Sequence, residues 1–219
     1  MKAPAIIFIS LLLSLSETVQ GQGSIEYGVK AGLNMSTQFG DTYQGLEFKL
    51  GLVAGVFGIV PVLEDKILGV ELNYSQEGAW NPNYDFSTFS DVIYRQTLSY
   101  NYLNIPVYVV NPLNNSLNWY IGAQLGVRLS ANEIRTIKSG TPDSTDMSAG
   151  TRNLNNRIKL LYPSFLAGVQ KDLNDKLKAD LRLQFSLFDN VKRKAGDSEG
   201  TYPITVQFSI AYRLGKMEG

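Results

Sequence analysis

Apolar and polar residues alternate with a period of two over eight separate stretches of this chain. Residues 117–130 show it best. Leu117, Trp119, Ile121, Ala123, Leu125, Val127 and Leu129 fall on one face. Asn118, Tyr120, Gly122, Gln124, Gly126, Arg128 and Ser130 fall on the other. A strand sends successive side chains to opposite faces, so the segment is a ribbon with one apolar and one polar side. It is longer than the about five or six residues of a common soluble strand. About nine to eleven tilted strand residues cross a bilayer.

The other stretches are residues 25–36, 47–60, 67–76, 94–110, 157–171, 177–188 and 202–214. Two are irregular. Pro106 has no N–H to give a ladder, which predicts a bulge there. Phe165, Ala167 and Val169 set one frame while Ile158, Leu160 and Tyr162 set the opposite one, which predicts a second bulge near Pro163. The connections alternate in length. Residues 61–66, 111–116 and 172–176 are short and carry Pro, Asn and Asp, which suit tight turns. Residues 37–46, 77–93, 131–156 and 189–201 are longer. Outer-membrane barrels have short periplasmic turns and longer external loops. Both ends of the mature chain are therefore expected on the periplasmic side.

Residues 1–21 are expected to be a secretory signal. Lys2 precedes an apolar run too short for a spanning helix, and Val19 and Gly21 are small residues suited to a cut after Gly21. A cut after Ser16 and an uncleaved anchor are the alternatives. The remaining residues, 22–219, suffice for one domain. The 20 basic and 20 acidic residues cancel, which argues against a nucleic-acid-binding surface. Cysteine is absent, which excludes disulfides and thiolate metal sites.

Eight amphipathic antiparallel strands can bury their apolar side in two ways. A lipocalin-like soluble barrel turns it inward around an apolar ligand. An outer-membrane barrel turns it toward lipid and lines its lumen with the polar side. The polar faces here are rich in Gly and Ser, with isolated charges at Glu26, Lys30, Lys49, Glu71, Arg128, Asp180, Arg182 and Arg213. Small residues with mixed charge suit a narrow lumen. Tyr27, Phe48, Tyr74, Trp119, Phe185 and Tyr212 lie near strand ends on the apolar side, where rings favour a membrane boundary. The expected fold is an all-β, eight-stranded, antiparallel up-and-down transmembrane β-barrel in the cell outer membrane.

Four segments carry a family resemblance. They are Gly28-Val29-Lys30-Ala31-Gly32-Leu33-Asn34, Tyr102-Leu103-Asn104-Ile105-Pro106-Val107, the strand with Gly122 and Gly126, and Ile210-Ala211-Tyr212-Arg213-Leu214. With them the chain resembles the PorT-like outer-membrane β-barrel proteins, within the small OmpA/OmpX-type shape class. The resemblance implies outer-membrane lipid as surroundings and the barrel assembly machinery as a partner during insertion. It also implies envelope or secretion-system proteins as partners. Barrels of this kind usually end on an aromatic residue, whereas here Leu214 to Gly219 follow Tyr212.

Histidine is absent, which excludes a Ser–His pair and a His-based metal site. A Ser–Lys pair stays formally open, but nothing positions one. The expectation is a non-enzymatic protein without a cofactor. An eight-stranded barrel is just wide enough for side chains to fill, and a buried charge needs a partner. Glu26 is therefore expected to meet Arg213. Asp180, two residues from Arg182 on one strand face, is read as a lumen ion pair with it in preference to a substrate clamp. Arg128, Arg182, Glu71 and Lys30 are expected in a second cluster at mid-lumen, plugging the barrel. Glu133, Asp143 and Asp146 offer oxygen ligands for Ca²⁺ but fit no loop template. Trp80, Tyr84, Phe86 and Phe89 are candidates for contacting a partner or for packing on the barrel rim. Function is then expected in the external loops, as surface interaction or envelope maintenance.

Overall fold

In the computed structural model the alternating segments form nine strands: β1 (Ile25–Phe39), β2 (Glu47–Leu63), β3 (Lys66–Tyr84), β4 (Ile93–Pro112), β5 (Leu117–Ser139), β6 (Gly150–Asn153), β7 (Leu161–Asp172), β8 (Leu177–Phe185) and β9 (Tyr202–Met217). The structure describes residues 24–40, 46–63, 66–84, 92–140, 149–192 and 200–217. The expected signal segment, Phe86, Phe89, Asp143 and Asp146 lie outside them.

Each strand pairs antiparallel with its neighbours, and β1 meets both β2 and β9. β4 meets β5, β5 meets β7, and β8 meets β9, which closes the circuit. The short β6 pairs only with the outer part of β5, so eight strands make the ring. Closure leaves no edge whose N–H and C=O groups would lack partners in hydrocarbon.

The apolar faces point outward. Ile121 is 56% exposed and Leu181 50%, while Glu71 is only 3% exposed. Lys30, Asn34, Asn73, Asn104, Gln124, Asp180, Arg182 and Gln207 are likewise buried inside. A water-soluble carrier would have the reverse arrangement. Outward Leu, Val and Phe side chains in a closed ring require hydrocarbon around them.

Two expected bulges need correction. Pro106 makes no bulge: β4 keeps one register with β5 from Tyr102 to Pro112. The shift falls at Asn101/Tyr102, where β5 passes from Arg128 to Ser130 and Leu129 is the extra residue. Beyond it the buried positions of β5 change from Gln124 and Gly126 to Ala131 and Glu133. Pro163 makes none either, because β5 and β7 hold one register from Leu117/Lys171 to Val127/Leu161. The conflicting frame vanishes because β7 starts at Leu161, Ile158 belongs to the preceding segment, and Tyr162 and Leu166 are apolar residues of the lumen.

Strand lengths differ from expectation on the long-loop side. β3 runs on to Tyr84 and β5 to Ser139, whereas β8 stops at Phe185. Gly78, at φ 145°, marks the irregular stretch where the β2–β3 register shifts. A Cβ there would lie 2.0 Å from the Leu98 carbonyl oxygen, so glycine is required twice over.

Placing a cation on the lipid face tests the fold's polarity. Leu181→Arg is expected to lose about 2–4 kcal/mol of unfolding free energy near the bilayer midplane. Urea unfolding in lipid vesicles measures it, and a loss below 0.5 kcal/mol (about the size of an ordinary surface substitution) would contradict a lipid-facing Leu181.

Candidate functional site

The lumen is filled by a knot of charge drawn from five strands. β3 contributes Glu71, β8 contributes Asp180 and Arg182, β1 contributes Lys30, and β4 and β5 contribute Tyr108 and Tyr120. Period-two geometry aims each of them at the axis. Arg182 grips Glu71 with both terminal nitrogens, at 2.7 and 3.0 Å. Lys30 Nζ donates to both Glu71 oxygens at 3.1 and 3.2 Å. Tyr108 Oη donates to Glu71 Oε1 at 2.7 Å, and Asn73 Nδ2 donates to Oε2 at 2.6 Å.

Asp180 balances the second cation. Its Oδ2 lies 3.9 Å from Lys30 Nζ and 3.7 Å from Arg182. Tyr120 Oη accepts from Arg182 Nε at 2.9 Å and faces both Asp180 oxygens at 3.0 Å. Gln170 Nε2 donates to Asp180 at 3.0 Å. Two carboxylates and two cations cancel, and each is hydrogen-bonded, which is the condition for burying charge cheaply. The guanidinium also sits over both tyrosine rings, 5.2 and 5.3 Å from their centroids.

Glycine makes room for those rings. A Cβ on Gly69 would lie 2.3 Å from the Tyr108 ring, and one on Gly168 would lie 2.4 Å from Tyr120 Oη. Small residues beside large ones fill a narrow barrel. Layers continue on both sides of the knot. Outward, Asn34 meets Ser75 at 2.8 Å and Ser75 and Asn104 donate to Glu77 at 2.8 and 3.1 Å. Gln124, Gln184 and Gln207 form a further chain of amides. Leu98, Tyr100, Tyr102, Ala131, Leu154, Ile158 and Tyr162 then pack together. On the other side Phe57, Ile59 and Ala211 cluster at the end where β1 and β9 have their termini.

The structure brings Glu26 and Arg213 together at 2.8 Å on that rim, joined by Lys216 at 2.9 Å and Lys178 at 3.7 Å. It brings Lys30, Glu71 and Arg182 together and adds Asp180. Arg128 does not join them. The β5 bulge beside it changes the strand's frame, and its guanidinium instead bonds Asn155 Oδ1 and the Lys159 carbonyl. Lys49 also stands apart, within the field of Glu77 rather than of the knot. Trp80 belongs to β3 rather than to a loop and carries Arg95 5.8 Å from its ring centroid. Tyr84 ends β3, where its backbone pairs with Tyr94. Glu133 is taken up by Arg135 and Gln96 inside the outer barrel.

Sequence reading missed Tyr108, Tyr120, Asn73 and Gln170 as partners of the knot. Only the strand register brings these residues to the knot. Among the described residues no group of three or more Asp or Glu could hold a metal ion.

A closed antiparallel ring, apolar outside and filled inside by polar groups around paired charges, defines an integral outer-membrane β-barrel. The chain belongs to the outer membrane protein beta-barrel domain family, whose model matches residues 18–192. No curated protein matches it. Among solved structures it is similar to Ail, the attachment invasion locus protein of Yersinia pestis, at 15% identity and TM-score 0.46, covering 88% of this chain and 100% of that one. Neisserial surface protein A is similar at 11% identity and TM-score 0.44, covering 86% and 97%. The outer membrane protein OprG from Pseudomonas aeruginosa is similar at 9% identity and TM-score 0.39, covering 92% and 100%.

The two charge clusters should differ sharply in value. Glu71→Ala leaves two buried cations without their shared anion and is expected to cost about 3–5 kcal/mol. Glu26→Ala sits on a partly solvated rim and should cost about 1 kcal/mol or less. Parallel urea titrations of the two variants measure the contrast, and equal losses would contradict it.

Proposed function

We propose that this protein is a non-enzymatic outer-membrane barrel with a plugged lumen, acting through its external side in surface interaction or envelope maintenance. The Lys30–Glu71–Arg182–Asp180 knot carries the reading. It spans the lumen from β1 and β3 to β8 with contacts at ordinary hydrogen-bond distance. A conducting pore of this strand number would need the same space for water, and wide aqueous channels generally begin near sixteen strands. A catalytic site would need a group poised beside a substrate cavity, whereas every charge in the knot is engaged by its neighbours.

A role in secretion, which the PorT-like resemblance implies, has less support. The segment Tyr102 to Val107 carries that resemblance most specifically, yet it lies wholly inside β4. Tyr102, Asn104 and Tyr108 point into the lumen and Leu103, Ile105 and Val107 point the other way. The motif thus serves the wall and its filling, and offers no surface to a soluble partner.

Planar-bilayer recording tests the plug. Steady conductance of porin size is expected to be absent from the unmodified barrel, and its presence would overturn the reading. The double variant Glu71→Ala/Arg182→Ala removes the core of the knot and is expected to show intermittent conductance. Loss of secreted proteins on deletion of the gene would favour the secretion role instead.

A further inference from the structure

The barrel wall is low on one side. β7 begins at Leu161 and β8 ends at Phe185, while β5 continues to Ser139. The outer half of β5 therefore lacks its β7 partner. Residues 154–160 cross that gap as a strap. Leu154 N donates to the Ala131 carbonyl at 2.8 Å, Ala131 N donates to Asn155 Oδ1 at 2.8 Å, and Arg128 N donates to the Leu160 carbonyl at 2.8 Å. Ile158 pairs with Val191 as an isolated antiparallel bridge, sealed by Lys159 N to the Asn190 carbonyl at 2.8 Å and Lys192 N to the Arg157 carbonyl at 2.6 Å. The strap is thus held at both edges, with its own Ile158 only 1% exposed.

That bridge sets two cations side by side. Arg157 and Lys192 flank the Ile158–Val191 pair on opposite segments, and both are exposed. Like charges placed across a strand pair repel. Neither has an ion-pair partner among the described residues. The nearby, half-buried Asp189 carboxylate accepts from the amides of Val191 and Thr201 at 3.0 and 3.1 Å. Directly below, on the membrane side, lies an outward apolar stripe: Leu187 and Leu160 are 67% and 54% exposed, followed by Leu161, Phe165 and Phe185. The Phe165 and Phe185 rings pack 5.8 Å apart.

We propose that this low side is a binding site for a phosphorylated lipid of the surrounding outer leaflet. Its phosphate would sit between Arg157 and Lys192, and its acyl chains would lie along the Leu160–Leu187–Phe165–Phe185 stripe. Charge complementarity and the adjoining lipid-facing stripe select an anionic amphiphile over a soluble anion. An anion between the two cations also relieves their repulsion, as charge-assisted phosphate contacts do elsewhere. The inference rests on the outer-membrane placement and on the long loops being external, but not on the plugged lumen.

The test uses the full mature barrel folded in detergent, titrated with bisphosphorylated lipid A in mixed micelles. Saturable binding is expected. Arg157→Gln/Lys192→Gln should weaken it about tenfold or more, and Lys216→Gln, at the opposite rim, should leave it unchanged. Dephosphorylated lipid A should bind the unmodified protein as weakly as the intact lipid binds the double variant. This arm needs no variant, so a folding defect cannot mask it. Equal binding of the two lipids, or full binding by the double variant, would overturn the site. Inositol hexakisphosphate binding as tightly as the lipid would overturn the role of the apolar stripe. Heat-modifiable migration on gels, run alongside, reports the barrel itself; its failure in the unmodified protein would strike the outer-membrane reading instead.

Discussion

Hydrocarbon offers a peptide group nothing to bond with. Each unpaired N–H or C=O in a bilayer costs several kcal/mol, so a sheet enters one only as a closed ring. The pairing of β1 with β9, continuous from Ile25/Met217 to Phe39/Tyr202 apart from one irregularity at Tyr27/Gly28, meets that demand. Everything else in this molecule is subordinate to it. Closure fixes which side of each strand faces lipid, and the narrow ring that results forces the inner side to be filled.

Filling is where the chemistry becomes specific. A lumen lined by leucine would leave the strands apolar on both faces and remove the signal that orients them. Polar lining keeps the faces distinct but brings buried charge. The barrel resolves this by neutralising charge locally: Glu71 meets Arg182 and Lys30, and Asp180 faces both cations from across the knot. Tyrosine hydroxyls and amides supply further hydrogen bonds to the charged groups, and glycines admit the rings. Buried ion pairs are weak evidence of net stability, because hydrophobic replacements can do as well. Here they reconcile an apolar exterior with a dense interior.

Much of this was legible from residue order. Alternation is a local property of strands, and lipid enforces it on the outer face, so the eight ring strands could be framed from Ile25 to Leu214. The Glu26–Arg213 contact followed from closure alone, since strands adjacent in a ring bring their ends together. Legibility failed where that enforcement lapses. Along residues 131–139 of β5 the buried positions are Ala131 and Glu133 and the exposed ones include Ile134 and Ile137, so this stretch forms strand without a polar-in, apolar-out period-two signature. Arg128 was misplaced because the bulge beside it depends on pairing with Asn101 and Tyr102, which no local pattern records. Tyr162 disturbed the apparent frame because a lumen position tolerates a large ring where a glycine, here Gly126, leaves space.

The knot at Glu71 has a consequence for how such a chain travels. Its members come from β1, β3, β4, β5 and β8, so no hairpin or contiguous half of the chain contains the set. While the sheet is still open these groups are hydrated, and they lend an otherwise greasy polypeptide some affinity for water during its passage toward the membrane. Only the last stage of curling up strips that water away, and the ions then find each other together. The same atoms that keep the precursor dispersed become the latch of the finished cylinder.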